Sequence, residues 1–122
     1  MAYLIDLKTF IDKRGNLTVI EKTIPFEIKR IFYIYGVDDS LRGGHRHKTT
    51  IQAAVCLRGS CRIYNNDGEV ENYFVLDKPS KCLILETSDW HTMDEFSKDA
   101  ILMVLASEYF DQQDYIFESY KK

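Results

Sequence analysis

Short runs rich in Tyr, Phe, Ile and Val, each cut off within a few residues by turn formers, confine this chain to an all-β fold. Leu17–Glu21, Ile28–Tyr35, Thr50–Leu57, Cys61–Tyr64, Val70–Leu76, Lys81–Glu86 and Ala100–Ala106 read as strands. Asn66-Asp67-Gly68 between two of them suits the positive φ angles of a tight hairpin. Arg58-Gly59-Ser60 reads as a second hairpin and Asp77–Ser80 as a third turn. Many short strands at this spacing imply a sandwich or barrel. Only the tail departs, where Asp111 or Asp114 is expected to cap a short helical segment before Tyr120 and the terminal lysines.

The 122 residues suit one domain, 1–122, and 45% hydrophobic residues suffice for a packed core. Sixteen Lys plus Arg against nineteen Asp plus Glu leave a net charge of -3, too balanced for a protein that works on nucleic acid. The longest apolar run, Ala100–Ala106, falls far short of the roughly 18 residues of a membrane span, and MAYLIDLKTF lacks the pattern of a secretory signal. Cys56, Cys61 and Cys82 form no CxxC and sit in apolar contexts, as reduced, buried thiols do. A soluble, cytoplasmic protein is expected.

Two of the three histidines stand in Arg42-Gly43-Gly44-His45-Arg46-His47-Lys48. On a strand, His45 and His47 share one face and Arg46 takes the other, with the histidine Cα atoms roughly 7 Å apart. Such a pair suits either metal ligation or proton transfer. Gln52 follows, then Gly59 at a turn, then His91 after Trp90. This order is similar to the cupin signature, whose fold is a small jelly-roll barrel. Gln52 stands where metal-dependent cupins carry a glutamate, and a neutral amide balances a divalent cation poorly. Acid–base work by the histidines is therefore expected, with no metal and no cofactor. The chain has no GxGxxG and no P-loop, so side chains must hold any phosphate. Arg14, Arg30, Arg42, Arg46, Arg58 and Arg62 are available, though each singly reads as a surface charge.

RGGHRHKTTIQ, VCLRGSCRIYNNDG, SDWHTMDEFS and VLASEYFDQQDYI, with IDKRGNLTVIE and IPFEIKRIFYIY before them, resemble the dTDP-4-oxo-6-deoxy-D-glucose 3,4-ketoisomerases over almost the whole chain. That resemblance implies a metal-free cupin homodimer exchanging N-terminal strands. It implies an isomerase for deoxysugar, O-antigen and lipopolysaccharide synthesis that turns a dTDP-linked 4-oxo-6-deoxyhexose into its 3-oxo isomer. His45 resembles the base that touches the sugar, and His47 its relay. Arg42 resembles a group binding the diphosphate or polarising sugar oxygens. Arg14 and His91 match positions lining the sugar end, and Gln52 and Arg62 complete the expected substrate-binding set. Tyr33 reads either as a hydroxyl facing the ring or as core, and Trp90 as barrel packing. Arg46 stands where relatives often carry alanine, so a surface or subunit contact is expected to change there.

Three other readings stay open: a sugar-nucleotide 3,5-epimerase, a non-catalytic sugar-binding cupin and a metal-dependent dioxygenase. Arg14 together with His91 resembles the pattern that forms the galacto product, dTDP-3-oxo-6-deoxy-D-galactose.

Overall fold

The computed structural model describes residues 1–120, and strands carry nearly all of their regular structure. In chain order they are β1 (Tyr3–Asp6), β2 (Lys8–Asp12), β3 (Gly15–Val19), β4 (Arg30–Ile34), β5 (Arg42–His47), β6 (Gln52–Arg58), β7 (Cys61–Asn66), β8 (Glu71–Leu76), β9 (Lys81–Leu85), β10 (Trp90–Asp94), β11 (Ile101–Ala106) and β12 (Tyr115–Ile116). One five-stranded antiparallel sheet runs β1-β9-β6-β11-β4 and a second runs β12-β5-β10-β7-β8. They form the all-β architecture expected from the strand pattern, laid out as the jelly roll that the cupin-like motif order implies. Among the described residues no helix is long and apolar enough to cross a membrane.

Alternation along each strand decides what lies between the sheets. In β7, Cys61, Ile63 and Asn65 are buried, while Arg62 and Tyr64 are half-buried on the other face. Cys56 and Ala54 of β6, Leu83 and Leu85 of β9, and Leu102 and Val104 of β11 meet Ile63 and Leu76 in the central core. Phe32 and Ile34 of β4 pack against the same core. Burying each of these leucines or isoleucines stabilises the fold by about 2 kcal/mol. A second apolar layer lies on the opposite face of the first sheet, where Ile20, Ile24 and Phe26 cover Val55, Ile84 and Leu105. All three cysteines are free and buried.

Arg58-Gly59-Ser60 is not a hairpin. It connects β6 in one sheet to β7 in the other, so it is a corner between layers. Gly59 takes φ +70, and a Cβ there would lie 2.1 Å from the Ser97 hydroxyl oxygen. Asn66–Gly68 does join paired strands, and Asp67 accepts hydrogen bonds from the amides of Glu69 and Val70. At the tail a single 3-10 turn spans Gln112–Asp114, capped by Asp111, whose carboxylate accepts from the Gln113 amide. Asp114 caps nothing and is buried instead. The terminal lysines lie outside the described residues. β10 was not evident in sequence because His91, Thr92 and Asp94 interrupt the apolar pattern of a core strand.

The β2–β3 hairpin pairs only with itself. Phe10, Ile11 and Leu17 on it are 52%, 77% and 59% exposed. Phe10 and Leu17 are cross-strand partners on one face and Ile11 lies on the other, so both faces of the hairpin present apolar side chains that want a cover.

Candidate active site

The site begins with an irregularity in β5. His45 pairs with His91, but Gly43 pairs with Thr92 and Arg42 with Met93, so β5 holds one residue more than β10 at this point. Gly43 and Gly44 carry φ +85 and +84, and a Cβ on Gly43 would stand 2.9 Å from the His91 carbonyl oxygen. Only glycine fits there. The bulge seats the His45 ring 5.0 Å from His47 and 5.0 Å from His91, measured between ring centroids.

Each neighbour of His45 is fixed by a further contact. The buried Asp114 carboxylate accepts a hydrogen bond from His47 Nδ1 at 2.9 Å. The same carboxylate accepts from the Thr49 amide and hydroxyl at 2.8 and 2.9 Å and from the Thr50 hydroxyl at 2.5 Å. His91 Nδ1 donates to the Asp89 carbonyl at 3.0 Å. The second ring nitrogens, His47 Nε2 and His91 Nε2, are buried without a partner, as are Gln52 Oε1 and Arg30 Nε. Buried polar groups of this kind are free to bond a ligand or an ordered water. Tyr115 packs its ring 4.7 Å from both His45 and His47, and Phe117 stacks on Tyr115.

Burial first, then the neighbouring His47, pushes His45 down to about 4. Burial pushes His91 down to about 3. His47 is lowered too, because burial and the charge of Arg30 outweigh the support of Asp114. For Asp114, burial opposes ionisation, yet the hydrogen bonds from Thr50, Thr49 and His47 win and hold it well below the usual carboxylate range. At neutral pH the site therefore offers uncharged imidazoles beside one ionised carboxylate. Neutral imidazole is the form that accepts a proton.

A stability consequence follows from linkage. All three histidines bind protons less readily folded than unfolded, so the unfolded chain gains protons first as pH falls. The stabilisation is complete above about 6.5 and is lost as pH drops toward about 4. Thermal melts should show the melting temperature falling through that window, before Asp114 titrates. A constant melting temperature from pH 7 to 4 would contradict this placement of the histidines.

The structure gathers His45, His47, His91, Gln52 and Arg42. Arg42, His45 and Gln52 line one cavity with Phe32, Ile34, Met93 and Tyr115. Three other expected site residues lie elsewhere. Tyr33 is 62% exposed and stacks on Tyr35, because Phe32 and Ile34 take the inward positions of β4. Arg62 lies on the outward face of β7, forked onto Asp94 at 2.9 and 2.8 Å and over the Tyr73 ring. Arg14 sits at the tip of the β2–β3 hairpin, paired with Asp12, among residues that line none of the histidine cavity. Arg46 points away from the histidines and lies over Tyr120. Asp114, Tyr115 and Phe117 are the site residues that sequence reasoning missed. The signals were Asp114, read as a helix cap, and the block VLASEYFDQQDYI, which holds Asp114 and Tyr115 but served only the resemblance.

Among the described residues no group of three or more His, Cys, Asp or Glu side chains is disposed to hold a metal ion. Gln52 brings an amide rather than a carboxylate to the cavity. Turnover is accordingly expected to survive prolonged EDTA treatment. Activity lost to EDTA and regained only with a divalent cation would assign these histidines to a metal.

Comparison with known proteins gives a consistent picture. The family model described as "FdtA: WxcM-like, C-terminal" matches residues 2–122. A TDP-4-oxo-6-deoxy-alpha-D-glucose-3,4-oxoisomerase of Aneurinibacillus thermoaerophilus is 44% identical, over 98% of this chain and 89% of that protein. A mutant of the 3,4-ketoisomerase QdtA from Thermoanaerobacterium thermosaccharolyticum, with asparagine for one histidine and in complex with TDP-4-keto-6-deoxyglucose, superposes with a TM-score of 0.92. It is 42% identical, with 96% of this chain and 87% of that one covered. A 3,4-ketoisomerase from Helicobacter canadensis gives a TM-score of 0.91 at 38% identity, covering 96% and 90%. A dTDP-4-dehydrorhamnose 3,5-epimerase from Bacillus anthracis shares the fold alone, with a TM-score of 0.82 at 16% identity over 93% of this chain and 76% of that one.

Proposed function

This chain belongs to the FdtA family of WxcM-like proteins, and from that premise we propose that it isomerises dTDP-4-oxo-6-deoxy-D-glucose to the 3-oxo sugar. The observation that carries the reading is His45, held at the cavity between His47, His91 and Tyr115, with His47 anchored on a buried carboxylate.

The reaction moves two hydrogens and needs no oxidant. The C4 ketone acidifies the C3 hydrogen, which passes as a proton to the neutral His45 imidazole. The C3–H electron pair becomes the C3=C4 double bond of an enediol, and the C4 oxygen takes the carbonyl pair. Loss of the O3 proton then forms the C3 ketone while C4 and its oxygen are protonated. His47, with Asp114 behind it, relays one of these protons. Arg42 at the cavity rim binds the diphosphate, and Gln52 hydrogen-bonds a sugar hydroxyl. The phenol of Tyr115 takes the sugar-facing part once expected of Tyr33.

The enzyme works in the cytoplasm as a homodimer that exchanges N-terminal strands, supplying deoxyaminosugars for surface polysaccharides such as O-antigen. The self-paired hairpin with exposed Phe10, Ile11 and Leu17 supports this assembly. In it, Arg14 reaches the sugar from the partner copy. With His91 it directs the proton to the face of C4 that gives the galacto product.

Incubation with dTDP-4-oxo-6-deoxyglucose in deuterium oxide tests the reaction. Deuterium exchange together with a 3-oxo product by proton NMR is expected. An inverted C5 methyl environment would indicate epimerisation instead, and no exchange would leave a sugar-binding protein. Trapping the product with a 3-aminotransferase reads its stereochemistry: an axial C4 hydrogen would mean the gluco isomer. A 14.3 kDa species in light scattering at micromolar concentration would rule out the dimer.

A further inference from the structure

Arg30 opens β4 on the same face as Phe32 and Ile34, the two β4 residues that line the histidine cavity. Its guanidinium carbon lies 5.3 Å from the Phe32 ring centroid and 5.7 Å from that of Phe110. Its Nε is buried and bonded to nothing. The nearby acid Glu108 is engaged by Lys29 instead, at 3.7 Å. A half-buried cation held by two aromatic faces and no anion is costly to keep unless a ligand completes it.

Its surroundings indicate which ligand atom that is. Across the sheet Arg30 pairs with Ala106, and Ala106 pairs with Gln52. Register therefore sets Arg30 and Gln52 on either side of Ala106 on one face of the sheet, and the Gln52 Oε1 also lacks a partner. The charge of Arg30 is felt at His47. This face, which carries the cavity-lining Phe32, Ile34 and Gln52, thus offers a donor and an acceptor separated by one small residue. An enediolate from a hydroxyketone presents that pattern in reverse: one oxygen gaining charge next to one hydroxyl.

We propose that Arg30 is a catalytic residue that donates hydrogen bonds to the C4 oxygen as it becomes the enediolate, with Gln52 accepting from the neighbouring hydroxyl. The proposal rests on the isomerase reading above. When the C3–H bond breaks, the electron pair displaced from the carbonyl comes to rest on that oxygen, beside a fixed planar cation. Stabilisation of this kind acts in the transition state more than in the bound substrate.

Arg30→Met keeps the apolar stem between the two rings and removes the charge. With a wild-type near-UV spectrum it should lose about 100-fold or more in kcat, while KM and the dissociation constant for TDP stay within about threefold. The acid limb of its kcat profile should move to higher pH, since a positive neighbour of His47 has gone. Added guanidinium should restore part of the activity of Arg30→Ala. If Arg30→Met does not fold, Arg30→Lys carries the test: it keeps charge but not the fork, and about a tenfold loss in kcat is expected. Wild-type kcat in a folded Arg30→Met or Arg30→Lys overturns the inference and leaves the isomerase reading standing. So does weakened TDP binding with kcat intact, which would make Arg30 a diphosphate ligand. A wild-type protein that never turns over the sugar overturns the isomerase reading, and the role of Arg30 with it.

Discussion

Asparagine at position 45 is expected to lower kcat by on the order of 100-fold or more, the contribution of a positioned general base. Asparagine is close in size to the imidazole it replaces and retains polarity, but it cannot take a proton from carbon. The rings of His47, His91 and Tyr115 crowd this position from three sides, so they limit how far a substitute can shift. The loss should therefore be chemical rather than structural. TDP binding should change little, because His45 contributes no charge for phosphate at neutral pH. Deuterium exchange at C3 should disappear with turnover, since both begin with the same proton abstraction. His47→Asn should also be slow but keep part of the exchange, as expected of a relay. Full activity in His45→Asn would refute the mechanism.

Asp114→Asn is expected to be the more damaging change for the molecule as a whole. The carboxylate accepts four hydrogen bonds, from His47, the Thr49 amide and hydroxyl, and Thr50. An asparagine can offer one oxygen to some of these donors, while its NH2 group opposes the rest. Leaving a buried donor unmet there should cost about 3 kcal/mol of stability. Catalysis should fall by roughly 10²- to 10⁴-fold, by analogy with other histidines deprived of an orienting aspartate. Without the carboxylate, burial and the charge of Arg30 act on His47 unopposed, so its proton affinity should drop further. Rates measured well below the melting temperature separate the two effects. A folded Asp114→Asn with wild-type kcat would show the carboxylate to be a structural anchor only.

The pattern of strands was legible from residue types, because β-branched and aromatic runs between turn formers have few other uses. The histidine pair was legible as well, since the strand period puts His45 and His47 on one face whatever the partner strand. Which face of a strand turns inward was not. RIFYIY offers apolar side chains to both sides of β4, and only packing against the facing sheet decides that Phe32 and Ile34 go in and Tyr33 goes out. Arg62 failed for the same reason: its neighbours Cys61 and Ile63 claim the interior. Asp114 stands 67 residues from His47, and a long-range hydrogen bond leaves no local trace. Its sequence neighbourhood suggested a helix cap, and that work is done by Asp111.

The bulge at Gly43-Gly44 has a consequence for how this motif can change. Arg42 and His45 are separated by an odd number of positions, so an uninterrupted strand would send them to opposite faces. The extra residue restores even parity: Arg42 pairs with inward-facing Met93 and His45 with buried His91. Deleting one glycine would remove the bulge and set Arg42 and His45 two positions apart, a spacing that an ordinary strand also puts on one face. Straightening the strand without losing a residue would instead turn the arginine to solvent, while the histidines, held by β12 and Asp114 from the other end, kept their face. Count and composition are thus constrained together: the extra residue sets which way Arg42 faces, and the left-handed backbone that accommodates it favours glycine.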